Sequence, residues 1–244
     1  MEDIALQKFT SMNKKEAKEY TLKYMEPYYK KLGFSLIKEQ SSTVIFRKKN
    51  HLGYDGFASG TLNYSPVQII RYSVYKRIDI IEEITAQIGA KFELNPPVNK
   101  ESLSLAFGYE TLNKMNRSFY LPECTTEGDI EKSVNMIIEF MEKTAISLLD
   151  RFNDLRELDK EINGENFWET DWQNIFNLGG NFYIKRLIIA KLSGSPTYDE
   201  TVEKVLAFFE KLALDNNEEF MGKNNSGWSI GYTIDLLKTI SPIY

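Results

Sequence analysis

The sequence predicts an α+β protein with an N-terminal helix, an antiparallel β-meander sheet with a packed long helix, and a helical C-terminal portion. Hydrophobic residues recur every three to four positions up to residue 33, then alternate with a period of two, and return to helical spacing after residue 126. With 244 residues, of which 42% are hydrophobic, the chain can bury a sizeable core. We expect a sheet-containing portion at 1–153 and a helical portion at 154–244, packed as one continuous unit because no flexible linker separates them.

The first helix has sequence signals at both ends. Asn13 can accept the amide of Glu16 while the Glu16 side chain reaches back to Asn13, which is a capping box. Gly33 suits the left-handed position that ends a helix. The residues that share the predicted buried face are Ala17, Thr21, Tyr24, Tyr28 and Leu32.

Strands are predicted after this helix. Short runs of β-branched and aromatic residues over 34–38, 43–48, 57–63 and 67–75, separated by turn residues, predict a meander. Asp79 and Glu82 have the spacing of a second capping box at the start of a short helix, which Gly89 would end. Alternating large and small residues over 102–109 predict a further half-buried strand.

The remainder of the chain has the spacing of helices. Thr126 begins the longest, which we predict over 126–152, about seven turns. Other helices are predicted over 155–162, 166–176, 182–192 and 229–239. Gly194 ends one of them, and Ser195 and Pro196 then open a helix through residue 214. The residues on the buried face of the longest helix are Ile130, Val134, Ile137, Met141, Ala145, Leu148 and Phe152.

Charge is divided unevenly along the chain. Residues 1–122 contain 18 Lys and Arg against 13 Asp and Glu, whereas residues 123–244 contain 12 against 22. The mildly basic half therefore holds the predicted strands, and the acidic half is nearly all helix. An asymmetry of this kind bears on partners and association rather than on fold.

The single histidine, His51, and the single cysteine, Cys124, exclude several kinds of site. A zinc site of four Cys and His ligands is impossible, as is a disulfide within the chain. We expect His51 to be a solvated loop residue and Cys124 to be a buried, unreactive thiol. Because phosphate-binding and calcium-loop signatures are missing, no cofactor and no metal are expected.

Localisation and two partner classes follow from composition. The N-terminus leads into no apolar signal segment, and no apolar run reaches the roughly 20 residues of a membrane helix. We therefore expect a soluble, cytoplasmic protein without a membrane partner. The basic residues of the first half are interleaved with carboxylates, so nucleic acid is not an expected partner.

The candidate binding site is an acidic, tryptophan-containing cluster. Trp168 and Trp172 are four residues apart and share a helix face, and Glu165, Glu169 and Asp171 surround them with negative charge. Large aromatic side chains flanked by charge are typical of protein-binding hot spots. The other interpretation is that the tryptophan pair anchors this helix to the core.

The run Tyr28-Tyr29-Lys30-Lys31-Leu32-Gly33-Phe34, followed by a β-run centred on Phe46, resembles uncharacterised bacterial families that include immunity-like proteins of polymorphic-toxin systems. The resemblance covers about the first 110 residues. It implies a non-enzymatic protein that blocks a toxin by covering its active site. An acidic helical face would suit a basic protein partner, because opposite potentials accelerate encounter.

Two other functions fit the sequence. One is a carboxylate-dependent hydrolase that acts on a small polar substrate, using either carboxylates elsewhere in the chain or the turn that contains His51, Tyr54 and Asp55. The other is an accessory protein whose acidic helices only keep it soluble. A pocket that gathers the three turn residues would favour the hydrolase.

Overall fold

The structure is a computed structural model, and it describes residues 12–39, 43–64, 67–92, 101–108, 121–164, 178, 182–215 and 226–244. The strands are β1 (Ser35–Glu39), β2 (Thr43–Lys49), β3 (Gly53–Tyr64), β4 (Val67–Ile78) and β5 (Leu105–Phe107). The helices are α1 (Lys14–Lys31), α2 (Asp79–Phe92), α3 (Glu127–Phe140), α4 (Ile146–Arg151), α5 (Leu155–Asn163), α6 (Phe182–Leu192), α7 (Tyr198–Asp215) and α8 (Ser226–Lys238), with a π-helical segment at Met141–Ala145 between α3 and α4.

The predicted α+β class and the meander are confirmed. The strands form one antiparallel sheet in the order β1-β2-β3-β4-β5, which is also their order along the chain. The chain divides into two compact units. The first comprises Met1–Lys48, Gly56–Val74 and Met115–Ala145, and the second comprises Lys49–Asp55, Tyr75–Lys114 and Ile146–Tyr244. The division into 1–153 and 154–244 stays a prediction.

In the first unit, α1 begins and ends where its sequence signals predict. The Asn13 carboxamide accepts the amide of Glu16 at 3.0 Å, and the Glu16 carboxylate accepts the amide of Asn13 at 2.9 Å. Gly33 follows the helix with φ +83°. The buried residues of α1 recur every four positions, and they are Ala17, Thr21, Met25 and Tyr29. The prediction was therefore right for the first two residues and wrong for the others.

The core of the first unit is an aromatic cluster around Tyr29, which is fully buried. Its ring stacks on Phe46 of β2 at 4.9 Å and on Phe57 of β3 at 4.5 Å. Phe34 meets the same ring edge-on at 5.6 Å. Offset and edge-on contacts at these distances are favourable for aromatic pairs, so one helical side chain holds α1 against two strands.

The predicted helix over 126–152 is interrupted, and this corrects the sequence analysis. Thr126 caps α3 with Asp129 as expected, but Met141–Ala145 forms a π-helical segment. A π turn inserts one extra residue, which shifts the register of everything after it. Leu149 is therefore buried in α4, whereas Leu148, which the regular spacing predicted, is only partly buried.

Helix α6 lies at the centre of the second unit, packed by α2, α5, α7 and α8. Every residue from Ile184 to Ala190 is buried, including the charged Lys185 and Arg186. A helix that is buried all round belongs inside a protein rather than on its surface. Gly194 ends the turn after α6 with φ +67°, as predicted.

Helix α2 does not end at the predicted glycine. It continues through Gly89 to Phe92, where the Phe92 ring lies 5.3 Å from Tyr232 of α8. The Lys91 ammonium also lies 4.0 Å from the centre of the Tyr232 ring. These tertiary contacts outweigh the small cost of glycine inside a helix. None of the helices within the described ranges has the length and apolar character needed to cross a membrane.

We expect Tyr29→Phe to be tolerated at neutral pH, because the buried Tyr29 hydroxyl has no hydrogen-bond partner among the described residues. Burial raises the pKa of Tyr29 well above its ordinary value of 10.0. As the pH rises through 10.0, the unfolded chain loses the phenolic proton while the folded chain keeps it. The free energy of unfolding of the wild type therefore decreases as pH rises. Urea unfolding should give similar free energies of unfolding at neutral pH, and a higher value for the variant than for the wild type at alkaline pH.

The matched control for Tyr29→Phe is Tyr64→Phe, which removes the same hydroxyl from a side chain that is 62% exposed. It should change the free energy of unfolding by less than about 0.5 kcal/mol at either pH. If Tyr29→Phe costs stability at neutral pH, the hydroxyl has a partner and the prediction is wrong.

We expect Gly53→Ala to destabilise the second unit by about 2 kcal/mol or more, because Gly53 has a positive φ and has no room for a side chain. Its φ is +153°, and an added Cβ would lie 2.5 Å from the carbonyl oxygen of Arg77. Gly128→Ala is the control, since its Cβ would meet nothing closer than the Thr126 hydroxyl at 3.8 Å. Thermal or urea unfolding measures both, and equal effects would contradict the prediction.

Candidate functional site

The binding cluster that the sequence predicts lies outside the described residues. It consists of Glu165, Trp168, Glu169, Asp171 and Trp172, all within 165–177. Whether the two tryptophans are buried therefore stays a prediction.

The turn that contains the candidate hydrolase residues is held by a side chain. The Asn50 carboxamide oxygen accepts the amides of Leu52 and Gly53 at 2.9 and 3.0 Å. This leaves His51 exposed, while Asp55, two residues after Gly53 in β3, is only 5% exposed. His51 is therefore in contact with solvent, whereas Asp55 is buried, although the two residues are close together in the sequence.

Asp55 is engaged by a buried lysine. The Lys76 ammonium, which is fully buried, lies 2.5 Å from Asp55 Oδ1 and donates to Asn153 Oδ1 at 2.9 Å. Desolvation lowers the pKa of Lys76 from its ordinary value, and the Asp55 carboxylate opposes that shift. A buried ion needs a partner of this kind, so the pair has a structural explanation.

Cys124, in the first unit, is buried as predicted. Burial raises the pKa of its thiol above the ordinary value of 9.0, and the nearby Ser133 hydroxyl at 3.3 Å lowers it by less. A thiol is nucleophilic only when it ionises, so this environment does not activate the sulfur. Within the described part of the chain, no group of three or more His, Cys, Asp or Glu side chains could hold a metal ion.

Lys185 is the first of two adjacent cations on α6. Its ammonium lies 2.9 Å from Glu82 Oε1 of α2 and donates to the Leu103 carbonyl at 2.5 Å. The Ser104 hydroxyl donates to the same Glu82 oxygen at 2.9 Å. Desolvation lowers the pKa of Lys185, and Glu82 opposes the shift. This group joins α6 to α2 inside the second unit.

Arg186 is the second cation, and it is directed to α5. Its Nε donates to Asn163 Oδ1 at 2.8 Å, and its Nη2 donates to the Ile162 carbonyl. Desolvation lowers the pKa of the guanidinium from 12.5 to about 9. Asn163 in turn donates to Asp159 Oδ1 at 2.8 Å, so three buried polar side chains form one chain of hydrogen bonds.

A cleft of about 580 Å³ lies beside the end of this chain of hydrogen bonds. One wall is α5 with its N-cap, and the other is the turn 193–197 between α6 and α7. Volumes of this size are typical of small-molecule sites. The polar side chains that α5 and its N-cap contribute are Asp154, Arg156, Glu157, Asp159, Lys160 and Asn163.

The α7 stripe is the second candidate site. We give this name to Asp199, Glu203, Glu210 and Leu214, whose spacings of four, seven and four place them along one helical face. All four side chains are exposed, and Leu214 is 75% exposed. Elsewhere on α7, Glu200 is paired with Lys204 at 2.6 Å. No described lysine or arginine forms an ion pair with the three carboxylates of the stripe.

The sequence analysis missed both the cleft and the α7 stripe. Helical spacing alone could have found the stripe, because three carboxylates and a leucine recur on one face of a predicted helix. Nothing in the sequence could have found the cleft. It depends on α5 and the turn 193–197 meeting in space, although 29 residues lie between them along the chain.

Comparisons of the chain with protein-family models, with curated proteins and with solved structures find no match. The resemblance of the N-terminal half to immunity-like families therefore stays a hypothesis, and the function must be argued from the described side chains.

We expect Lys76→Met to destabilise the protein by about 3 kcal/mol or more, because it leaves the Asp55 carboxylate buried without its cation. Adding Asp55→Asn should recover part of that loss, since the amide carries no charge. Lys238→Met is the control: its partner Asp235 is on the surface, and exposed pairs contribute less than about 1 kcal/mol. Urea unfolding of the three variants measures this, and a mild effect of Lys76→Met alone would contradict the structural role.

Proposed function

We propose that the chain is a non-enzymatic protein that binds a basic protein partner through the α7 stripe, as an immunity-type inhibitor of a bacterial toxin would. The observation that carries the proposal is the exposed row of Asp199, Glu203 and Glu210, which lack ion pairs among the described residues. Several charged groups among the described residues of the second unit are paired with a group of opposite sign, whereas these three carboxylates are not, so they are available to another molecule.

Electrostatics support a basic partner. Complementary potentials accelerate encounter and select between partners, and their contribution to the association rate falls as salt rises. α7 carries five acidic and two basic residues, and the acidic half of the chain has 22 Asp and Glu against 12 Lys and Arg. A toxin that acts on nucleic acid presents a basic surface, which such a helix would cover.

Leu214 supplies the apolar part of the proposed surface. Apolar surface that binding removes from water favours association. Leu214 is 75% exposed at the end of the stripe, and Leu212 nearby is 42% exposed. The predicted cluster around Trp168 and Trp172 would extend the same kind of chemistry.

The hydrolase is less well supported. It requires a carboxylate that can reach a substrate, and Asp55 is 5% exposed with its Oδ1 held by Lys76. His51 is exposed in the same turn, and the Tyr54 ring packs edge-on against Tyr75 at 6.2 Å. These three side chains lie in different environments, so the turn does not offer a shared site for a substrate.

The test is affinity capture from the native host with a charge-reversal variant of the stripe: Asp199→Lys, Glu203→Lys and Glu210→Lys together. We expect the wild type to retain a basic protein whose recovery decreases as salt rises, and the variant to retain at least about tenfold less. The purified partner should then lose its own activity when the wild type is added, and should keep it when the variant is added.

The matched control carries the same change in charge on another surface: Glu131→Lys, Glu139→Lys and Glu142→Lys, all exposed on α3 and the π-helical segment. It should retain the partner at the wild-type level. Equal loss in both triple variants would mean that only net charge matters. Equal recovery with all three proteins, or no retained protein, would refute the proposed surface.

A further inference from the structure

Asp159 differs from the other carboxylates that line the cleft. Asp154 is held by Arg156 at 2.6 Å, and Glu157 is held by Lys160 at 2.5 Å. Asp159 forms no ion pair among the described residues, although its side chain is only 7% exposed. The lining of the cleft therefore includes a buried carboxylate that forms no ion pair with a described residue and interacts electrostatically with Arg186, behind Asn163.

The two oxygens of this carboxylate differ. Oδ1 accepts from Asn163 at 2.8 Å, whereas Oδ2 accepts from no described group. Asp159 lines the cleft, so a molecule bound there can reach the exposed part of this residue.

The position of the Asp159 carboxylate is fixed by Asn163, which Arg186 holds in turn. Asn163 Oδ1 accepts from Arg186 Nε at 2.8 Å, and Asn163 Nδ2 also donates to the Arg186 carbonyl at 3.2 Å. These contacts leave the Asn163 carboxamide one orientation, in which Nδ2 points to Asp159. An acceptor that is fixed before a ligand arrives loses little entropy on binding.

We propose that this cleft binds a small organic cation, a molecule with an ammonium or guanidinium group that donates to Asp159 Oδ2. Asp154 and Glu157 are already paired with Arg156 and Lys160, so among the carboxylates of the lining Asp159 is left to pair with a positive ligand. The hydroxyls of Ser195 and Thr197, 3.2 Å apart on the opposite wall, can bind further polar groups of the ligand. This site goes beyond the proposed protein binding and does not depend on it.

The probe is agmatine, which carries a guanidinium and an ammonium, with butanediol as an uncharged molecule of similar length. Isothermal titration calorimetry with the full chain should show saturable binding of agmatine and none of butanediol. Asp159→Asn keeps the shape of the side chain and removes its charge, and we expect it to weaken agmatine binding at least about tenfold. Asp235→Asn, which changes an exposed carboxylate on α8, should bind as the wild type does.

A second variant keeps the proposal testable if Asp159→Asn fails to fold. Thr197 is exposed and lines the wall opposite α5, so Thr197→Trp should occupy part of the cleft without changing Asp159, and should also weaken agmatine binding at least about tenfold. The proposal is overturned if the wild type does not bind agmatine saturably, if butanediol binds as tightly, or if folded Asp159→Asn binds as well as the wild type.

Discussion

The second unit depends on burying α6 together with two adjacent cations. An isolated charge in a protein interior costs several kcal/mol, so α6 can occupy the centre only if both side chains find partners. Lys185 and Arg186 meet this requirement in different directions, the first at Glu82 of α2 and the second at Asn163 of α5. Two neighbouring residues therefore define where two other helices contact the central one.

The same requirement separates structural charges from charges that are available for binding. Lys76 and Asp55 satisfy each other in the interior, which leaves neither for a substrate. The carboxylates of the α7 stripe are hydrated and unpaired within the described chain, so they can attract a partner without first breaking an internal contact. Asp159 is intermediate, because one of its oxygens is hydrogen-bonded within the fold while the residue lines the cleft.

Sequence reasoning succeeded where a structure depends on neighbouring residues, and it was wrong where a distant contact intervened. The capping box of Asn13 and Glu16 needs only four consecutive residues, and it is present as predicted. The burial of Leu149 instead of Leu148 follows from a π-helical segment that a regular spacing cannot anticipate. The extension of α2 past Gly89 follows from contacts with Tyr232, nearly 140 residues further along the chain.

The sequence by itself determined the α+β class, the order of the strands, most helix ends and the excess of negative charge in the second half. Each of these depends on local periodicity, on capping chemistry or on composition. Only the tertiary structure decided which charges are buried, which of them pair with residues distant in the sequence, and that α5 and the turn 193–197 enclose a cleft. The reason is that burial and pairing are properties of residues brought together from distant parts of the chain, and no pattern within a single helix encodes them.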